Sequence, residues 1–162
     1  MRSSLARRLA NLALLPVALF GVVAVASPAQ AAAPTTVRLQ SDILAATNAA
    51  RVKAGCAKLR LDSNIARAAR NHSAWMAKTG TFSHVGTGSS TFVTRVRAQG
   101  YTAPLSENIA WGYRSGADVV KAWMNSAGHR ANILNCKAKA VGVGAVYAAN
   151  GNPYYTEDFG SR

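Results

Sequence analysis

Two histidines and a glutamate stand out in the second half of this chain because each lies in a distinctive short run of residues. The runs are Phe82–His84, Ser106–Ala110 and Trp123–Arg130. Near neutral pH, imidazole and carboxylate groups can bind a divalent metal ion or transfer protons. His84, Glu107 and His129 are therefore candidates for one shared site.

A divalent metal such as zinc is one occupant that His84, Glu107 and His129 could hold together, since three protein ligands and an open position form an acceptable site. The two histidines, His84 and His129, are the candidate ligands for such a metal. The sequence contains no His-Glu-x-x-His pair, so the spacing alone does not indicate a coordination geometry. A structural cluster of hydrogen bonds is the alternative. If Glu107 lies near the imidazoles, its charge would favour their protonated forms.

The first 31 residues have the composition of a secretory signal peptide. Arg2, Arg7 and Arg8 precede an apolar run over about residues 12–26, and Ala29–Ala31 has the small-residue pattern of a cleavage site. The apolar run is short for a membrane span. We therefore expect a signal peptide over residues 1–31, a short lead-in over 32–40, and one domain over 41–162. The mature protein should be secreted and extracellular, without a transmembrane segment.

The chain beyond the predicted signal peptide is strongly basic. Three of the nineteen Lys and Arg residues and none of the six acidic residues precede residue 32, so the net charge falls from +13 to +10. The basic residues, Arg51 and Arg95 among them, are scattered and form no dense stripe with interleaved aromatics. General surface charge is the expected role of these residues, and binding of a lipid or an anionic cell-envelope component is the alternative. We expect no nucleic-acid partner, and we expect a monomer.

Cys56 and Cys136 are the only cysteines in the sequence. In an exported domain, two cysteines most simply form one disulfide bond. Closing a loop of this length would stabilise the fold by about 4.5 kcal/mol on the chain-entropy model. A catalytic thiol is the alternative, but neither cysteine has a base beside it in the sequence.

Hydrophobic periodicity and capping residues predict four helices and three strands, which together indicate an α+β domain. An extended link over Lys58–Leu61 and a single helical turn over Ala131–Leu134 complete the expected elements. The predicted helices are Ser41–Ala54, Asp62–Thr79, Thr91–Gln99 and Ala117–Ser126, and the predicted strands are Ser106–Gly112, Val141–Ala148 and Tyr154–Phe159.

Four further ring side chains have a structural and a functional interpretation. His72 lies on the apolar side of the second predicted helix, where a packed, hydrogen-bonded core histidine is expected. Trp75 and Trp123 fall within helical patterns and should pack, whereas Trp111 precedes Gly112 and should be exposed. A carbohydrate-binding platform is the functional alternative for the tryptophans.

Taken together, the runs resemble the CAP superfamily, the group of cysteine-rich secretory, antigen 5 and pathogenesis-related 1 proteins, which share the SCP domain. The resemblance extends from about Ser41 to Gly160, and Gly128–Leu134 with Val141–Gly144 is typical of the bacterial secreted branch. It implies an α–β–α sandwich, with about four helices around a small, mainly antiparallel sheet.

The resemblance also implies a surface cleft, in which family members commonly place two histidines and two glutamates. His84, Glu107 and His129 match three of these positions. The fourth lies three residues after Trp123 and is Ser126 here. A serine can hydrogen-bond but cannot act as a general base at neutral pH. Ser126 therefore joins the cleft candidates and weakens a hydrolytic interpretation.

These residues favour a non-enzymatic binding domain whose cleft takes a lipid-like small molecule or a cell-envelope component, as the resemblance to lipid-binding relatives implies. An extracellular, protease-like hydrolase using the same cleft is one alternative. The sequence contains no Gly-x-Ser-x-Gly nucleophile motif to support it. A surface interaction or defence factor is the other alternative.

Overall fold

The computed structural model describes residues 32–162, and the statements below concern those residues. The predicted signal peptide lies outside them. The helices are α1 (Thr36–Lys53), α2 (Ser63–Thr79), α3 (Phe92–Ala98), α4 (Gly116–Asn125) and α5 (Ala127–Ile133), and the strands are β1 (Arg60–Leu61), β2 (Pro104–Trp111), β3 (Ala140–Tyr147) and β4 (Pro153–Gly160).

The four strands form one sheet in the order β1-β3-β4-β2. The short strand β1 runs parallel to β3, while β3–β4 and β2–β4 are antiparallel pairs. The helices α2 and α3 lie on one side of the sheet, and α1, α4 and α5 pack on the other side. The predicted α+β sandwich with a mainly antiparallel sheet is confirmed.

The helices differ from the prediction in number and at one end. The helix α1 begins at Thr36, inside the predicted lead-in, because the Thr35 hydroxyl caps the helix by accepting from the Arg38 amide at 3.2 Å. Five helices are present among residues 32–162, not four. The extra helix is α5, since Ser126 has extended backbone angles that end α4 and start a new helix. The predicted helical turn over Ala131–Leu134 covers the second half of this helix, and its first turn, which contains the poor helix former Gly128, was not predicted.

Two glycines on β3 allow α2 to lie directly against the sheet. A Cβ atom at Gly142 would overlap the backbone of Ile65 and Ala66, and a Cβ atom at Gly144 would overlap the backbone of Ala69. The glycines therefore set the close approach of helix to strand. This packing places α2 beside the strands β3 and β4.

The largest core cluster fills the opposite side of the sheet, where α1 and α4 meet the strands. Trp123 on α4 is 2% exposed, and its indole N–H donates to the Ile109 carbonyl at 3.0 Å. The prediction that Trp123 packs is confirmed. Among residues 32–162, no helix combines the length and the apolarity needed to cross a membrane.

The predicted disulfide between Cys56 and Cys136 is confirmed, with their Cα atoms 5.1 Å apart. It joins the segment after α1 to the segment after α5. Arg51 lies beside this bridge, completely buried, and donates to the carbonyls of Ala57, Ile133, Asn135 and Ala138. The expectation that Arg51 contributes surface charge is therefore wrong, because its buried guanidinium donates hydrogen bonds to four backbone carbonyl groups.

Candidate functional site

His84 and Glu107 form a hydrogen-bonded pair that runs from the protein surface into its interior. Glu107 lies on β2, and His84 lies in the loop after α2. His84 Nδ1 is 2.8 Å from Glu107 Oε1. A carboxylate only accepts hydrogen bonds, so Nδ1 carries the proton. The His84 side chain is 56% exposed and the Glu107 side chain 1% exposed, so the glutamate orients an imidazole that faces solvent.

Arg95 on α3 holds the other side of Glu107. Its Nη2 donates to Glu107 Oε2 at 2.6 Å, and its Nη1 donates to the carbonyls of His84 at 3.0 Å and Ser90 at 2.8 Å. The Arg95 side chain is only 11% exposed. The sequence analysis treated Arg95 as scattered surface charge, and this is wrong. The available signal was its position three residues after Phe92, on the inward side of α3.

Glu107 is ionised although it is buried. Burial alone would raise the pKa of this carboxyl group, but the hydrogen bond from His84 and the charge of Arg95 outweigh it and hold the pKa below its ordinary value. Each oxygen of Glu107 therefore has one partner, a histidine for Oε1 and an arginine for Oε2. Because both oxygens accept hydrogen bonds, the Glu107 carboxylate holds His84 and Arg95 in position and is not free to act as a base.

His129 lies on α5, which two asparagines fasten to β2. Asn132 Nδ2 donates to Asn108 Oδ1 at 2.9 Å and to the Glu107 carbonyl at 3.2 Å, while Asn108 Nδ2 donates to the His129 carbonyl at 3.3 Å. Burial, and then the proximity of His84, lowers the pKa of His129. The expectation that Glu107 favours the protonated form of His129 is therefore wrong. Asn132 has a positioning role that the sequence analysis missed.

A cleft of about 290 Å³ lies beside this arrangement, between the end of β2, α4 and α5. Ser126 and His129 line it, whereas His84 and Glu107 are not among its lining residues. Its rim is aromatic, with Phe82 47% exposed, Trp111 51% exposed and Tyr113 38% exposed. The predicted exposure of Trp111 is confirmed. Of the four candidate residues, Ser126 and His129 therefore line the cleft, whereas His84 and Glu107 lie outside its lining.

The donor set does not form a metal cage. Among residues 32–162, no group of three or more His, Cys, Asp or Glu side chains is placed to hold one ion. Both oxygens of Glu107 are already hydrogen-bonded. A metal bound here would therefore have the His84 and His129 imidazoles as its candidate ligands.

Residues 44–159 match the sequence profile of the family described as "Cysteine-rich secretory protein family", or CAP. The match covers most of the chain and includes α2, the strands β1 to β3, β4 up to Phe159, and both residues of the His84–Glu107 pair. This chain belongs to the CAP family.

Relatives of this CAP domain occur in Bacillus species. The chain is 37% identical over 125 residues to "Uncharacterized membrane protein YlbC" and 36% identical over 116 residues to "Uncharacterized protein YkwD", both from Bacillus subtilis (strain 168). These alignments cover 76% and 70% of this chain, but only 34% and 45% of the two relatives. The chain thus spans less than half the length of the curated relatives that it matches.

One solved structure shows the same fold in a longer protein. An extracellular protein with an SCP domain from Bacillus anthracis str. Ames superposes with a TM-score of 0.70 at 29% sequence identity. The superposition covers 78% of this chain and 41% of that chain. The CAP domain is therefore the part that these proteins share.

Proposed function

We propose that this chain is a secreted, non-enzymatic binding domain whose cleft takes a lipid-like small molecule or a lipid component of the cell envelope. The observation that carries the proposal is that the buried Glu107 carboxylate is separate from the cleft surface. Glu107 is fully engaged by His84 and Arg95, while the rim of the cleft presents partly exposed aromatic rings. This arrangement suits binding of an apolar body better than proton transfer.

The cleft has the chemistry to hold a ligand with an apolar body and a polar end. Phe82, Trp111 and Tyr113 offer apolar surface, and each Å² removed from water contributes about 25 cal/mol. Ser126 and His129 lie in the same cleft and can hydrogen-bond a polar end. Since the pKa of His129 is lowered, its imidazole is neutral near pH 7 and does not oppose burial against an apolar chain.

A medium-chain fatty acid, decanoic acid, is a suitable probe for this proposal. Titration followed by tryptophan fluorescence should be saturable, and Trp111→Ala should weaken binding about tenfold or more, as expected for an aromatic anchor. Val52→Ala is the matched control, because Val52 on α1 is 52% exposed and Trp111 is 51% exposed. Equal binding of decanoic acid by the two variants would show that the cleft is not the binding site.

Secretion is part of the proposal and rests on the first 31 residues. The positively charged start, the apolar run and the small-residue site are the features of a cleaved signal peptide. Protein collected from the culture medium should begin at Ala32 when its N-terminus is sequenced. Protein that stays with the membrane and retains Met1 would contradict secretion without affecting the proposed ligand.

A hydrolase is the second candidate, and the His84–Glu107 pair is the observation that favours it. An imidazole held by a carboxylate through Nδ1 is the arrangement of a general base and its orienting residue. Hydrolysis of a nitrophenyl ester or of casein, abolished by His84→Ala and unaffected by Val52→Ala, would support this candidate. Absence of turnover in the wild-type protein would leave the pair a structural support for the cleft.

A further inference from the structure

Half of the acidic residues of this chain are buried, which leaves few carboxylates on its surface. Three of the six, Glu107, Glu157 and Asp158, lie inside the sheet. Of the other three, two form ion pairs with arginines, and the third, Asp118, accepts a hydrogen bond from the Ser115 hydroxyl at 2.7 Å. The exposed Lys and Arg side chains therefore have few carboxylates to balance them.

The helix layer on one side of the sheet contains no acidic residue. Residues 63–106, which include α2 and α3, have neither Asp nor Glu. Asp62, directly before α2, caps that helix and is paired with Arg60 at 2.9 Å. The helices on the other side carry Asp42 and Asp118. The layer formed by α2 and α3 is therefore the one whose outer surface carries basic groups without acidic neighbours of its own.

The outer face of α2 presents three cations in a row. Arg67, Arg70 and Lys78 are all exposed. On an α-helix, their positions fall within an arc of roughly 80° and span roughly 16 Å along the axis. Arg97, exposed on the neighbouring helix α3, adds a fourth cation to the same layer. None of the four forms an ion pair with another residue in the part of the chain that the structure describes.

The side chains around these cations indicate which class of anion the face suits. Guanidinium and ammonium groups bind phosphate oxygens through charge-assisted hydrogen bonds. Of the seven large hydrophobic side chains that are exposed within residues 32–162, none lies on α2 or α3. The face therefore has no apolar group to insert into a membrane and no exposed aromatic ring to stack on a nucleic-acid base. A phosphate chain without lipid or bases matches it best.

We propose that this surface, which we call the α2 basic face and define as Arg67, Arg70, Lys78 and Arg97, binds a linear phosphodiester polymer that carries neither bases nor acyl chains. An extended polymer can place several phosphates along the row at once. Each exposed contact is weak alone and is screened by salt, but several contacts on one polymer act together. The cleft uses none of these four residues, so this proposal is independent of the ligand proposed there.

The test compares two pairs of charge-neutralising substitutions that lower the net charge equally. Fluorescently labelled poly(glycerol phosphate) is titrated with the disulfide-bonded protein at several salt concentrations, and its anisotropy is measured. The pair Arg70→Gln, Lys78→Gln should weaken binding about tenfold or more and reduce the slope of log affinity against log salt by about 1.4, for two lost phosphate contacts. The pair Arg114→Gln, Lys121→Gln, which replaces exposed residues at α4, should leave both close to the wild-type values. Equal losses in the two pairs would overturn the proposal, because net charge alone would then explain binding.

Two further probes separate the polymer from other polyanions. Oligothymidylate with the same number of phosphates should bind no more tightly than poly(glycerol phosphate), because no ring on the α2 basic face stacks on its bases. Vesicles of phosphatidylglycerol and phosphatidylcholine should bind more weakly. Tighter binding of either probe would assign the face to a nucleic acid or to a membrane and overturn the proposal. In ¹H–¹⁵N spectra, the polymer should shift amide signals of α2 and α3, and shifts confined to α4 would also contradict it.

Discussion

Glu107 and Asp158 face each other across β2 and β4, and the fold holds their carboxyl groups in different charge states. Glu107 is ionised because His84 and Arg95 bind it. Asp158 is completely buried, and burial together with the charge of Glu107 raises its pKa well above the ordinary value. Neither oxygen of an ionised Asp158 has a partner among residues 32–162. A protonated Asp158 can donate to Glu107, so the pair carries one negative charge.

Replacement of Arg95 by glutamine should strongly destabilise the domain. The change leaves Glu107 as a buried carboxylate without its guanidinium partner, and loss of one member of a buried pair costs about 3–5 kcal/mol. Urea unfolding at pH 7 measures the free energy directly. Arg97→Gln on the same helix is the control, since Arg97 is exposed and surface changes usually stay within about 0.5 kcal/mol. Equal stability of the two variants would show that Arg95 is dispensable.

Glu157 should make the stability of the domain depend on pH. It is buried on β4, where Thr47 Oγ1 donates to its Oε1 at 2.7 Å, and burial raises its pKa to about 7 from an ordinary 4.5. The unfolded chain releases this proton near pH 4.5, whereas the folded protein retains it until about pH 7. Stability from this group is therefore fully present below pH 4.5 and is lost as the pH rises to about 7, by about 3 kcal/mol.

The variant Glu157→Gln isolates that effect. Glutamine is neutral at every pH and keeps an acceptor for Thr47, so the difference in unfolding free energy between the variant and the wild type should change between pH 4.5 and 7 and stay constant above. Urea unfolding at several pH values gives the curve. A difference that is independent of pH would mean that Glu157 is not protonated in the folded protein.

Replacement of Gly144 by alanine should disrupt the contact between α2 and the sheet. The added methyl group would overlap the backbone of Ala69, and overpacking of this kind costs about 1–3 kcal/mol or more. Gly128→Ala on α5 should have the opposite effect on stability. Apart from its own helix and its chain neighbours, no described atom lies within 4 Å of the position that the added Cβ atom would take. This variant should stabilise by up to about 1 kcal/mol. Thermal unfolding of both variants should therefore show changes of opposite sign.

Loss of the disulfide should destabilise the domain without changing its secondary structure. Cys56 and Cys136 are 80 residues apart, and a loop of this length is worth about 4.5 kcal/mol on the chain-entropy model. The double variant Cys56→Ser, Cys136→Ser and the reduced wild type should lose similar amounts in urea unfolding. A loss in the double variant only would point to local packing around the serines as its cause.

Helices whose ends are marked by capping residues could be predicted well from the sequence. The helix α2 was expected over Asp62–Thr79 and is found at Ser63–Thr79, because Asp62 caps its start and Gly80 takes the left-handed conformation at its end. Both signals depend on residues adjacent to the helix. Only the second half of α5 was predicted, as a turn over Ala131–Leu134, because the start of the helix depends on the extended backbone at Ser126 and not on a recognisable capping residue.

The candidate site was only partly predictable. The motifs drew attention to His84 and Glu107, and the structure brings these two side chains into contact; whether they serve a ligand remains a prediction. The role of Arg95 was not visible, because it depends on α3 being folded against β2. Arg51 was misjudged for the same reason, since its carbonyl partners lie up to 87 residues away in the chain.

The sequence by itself determined the family, the order of most elements and the pairing of Cys56 with Cys136. These depend on local hydrogen bonds, on periodicity and on residue type, which are properties of short segments. Only the tertiary structure decided which charges are internal and which carboxyl groups are ionised. Burial and the distance to an opposite charge set both, and these quantities exist only after distant segments have packed together.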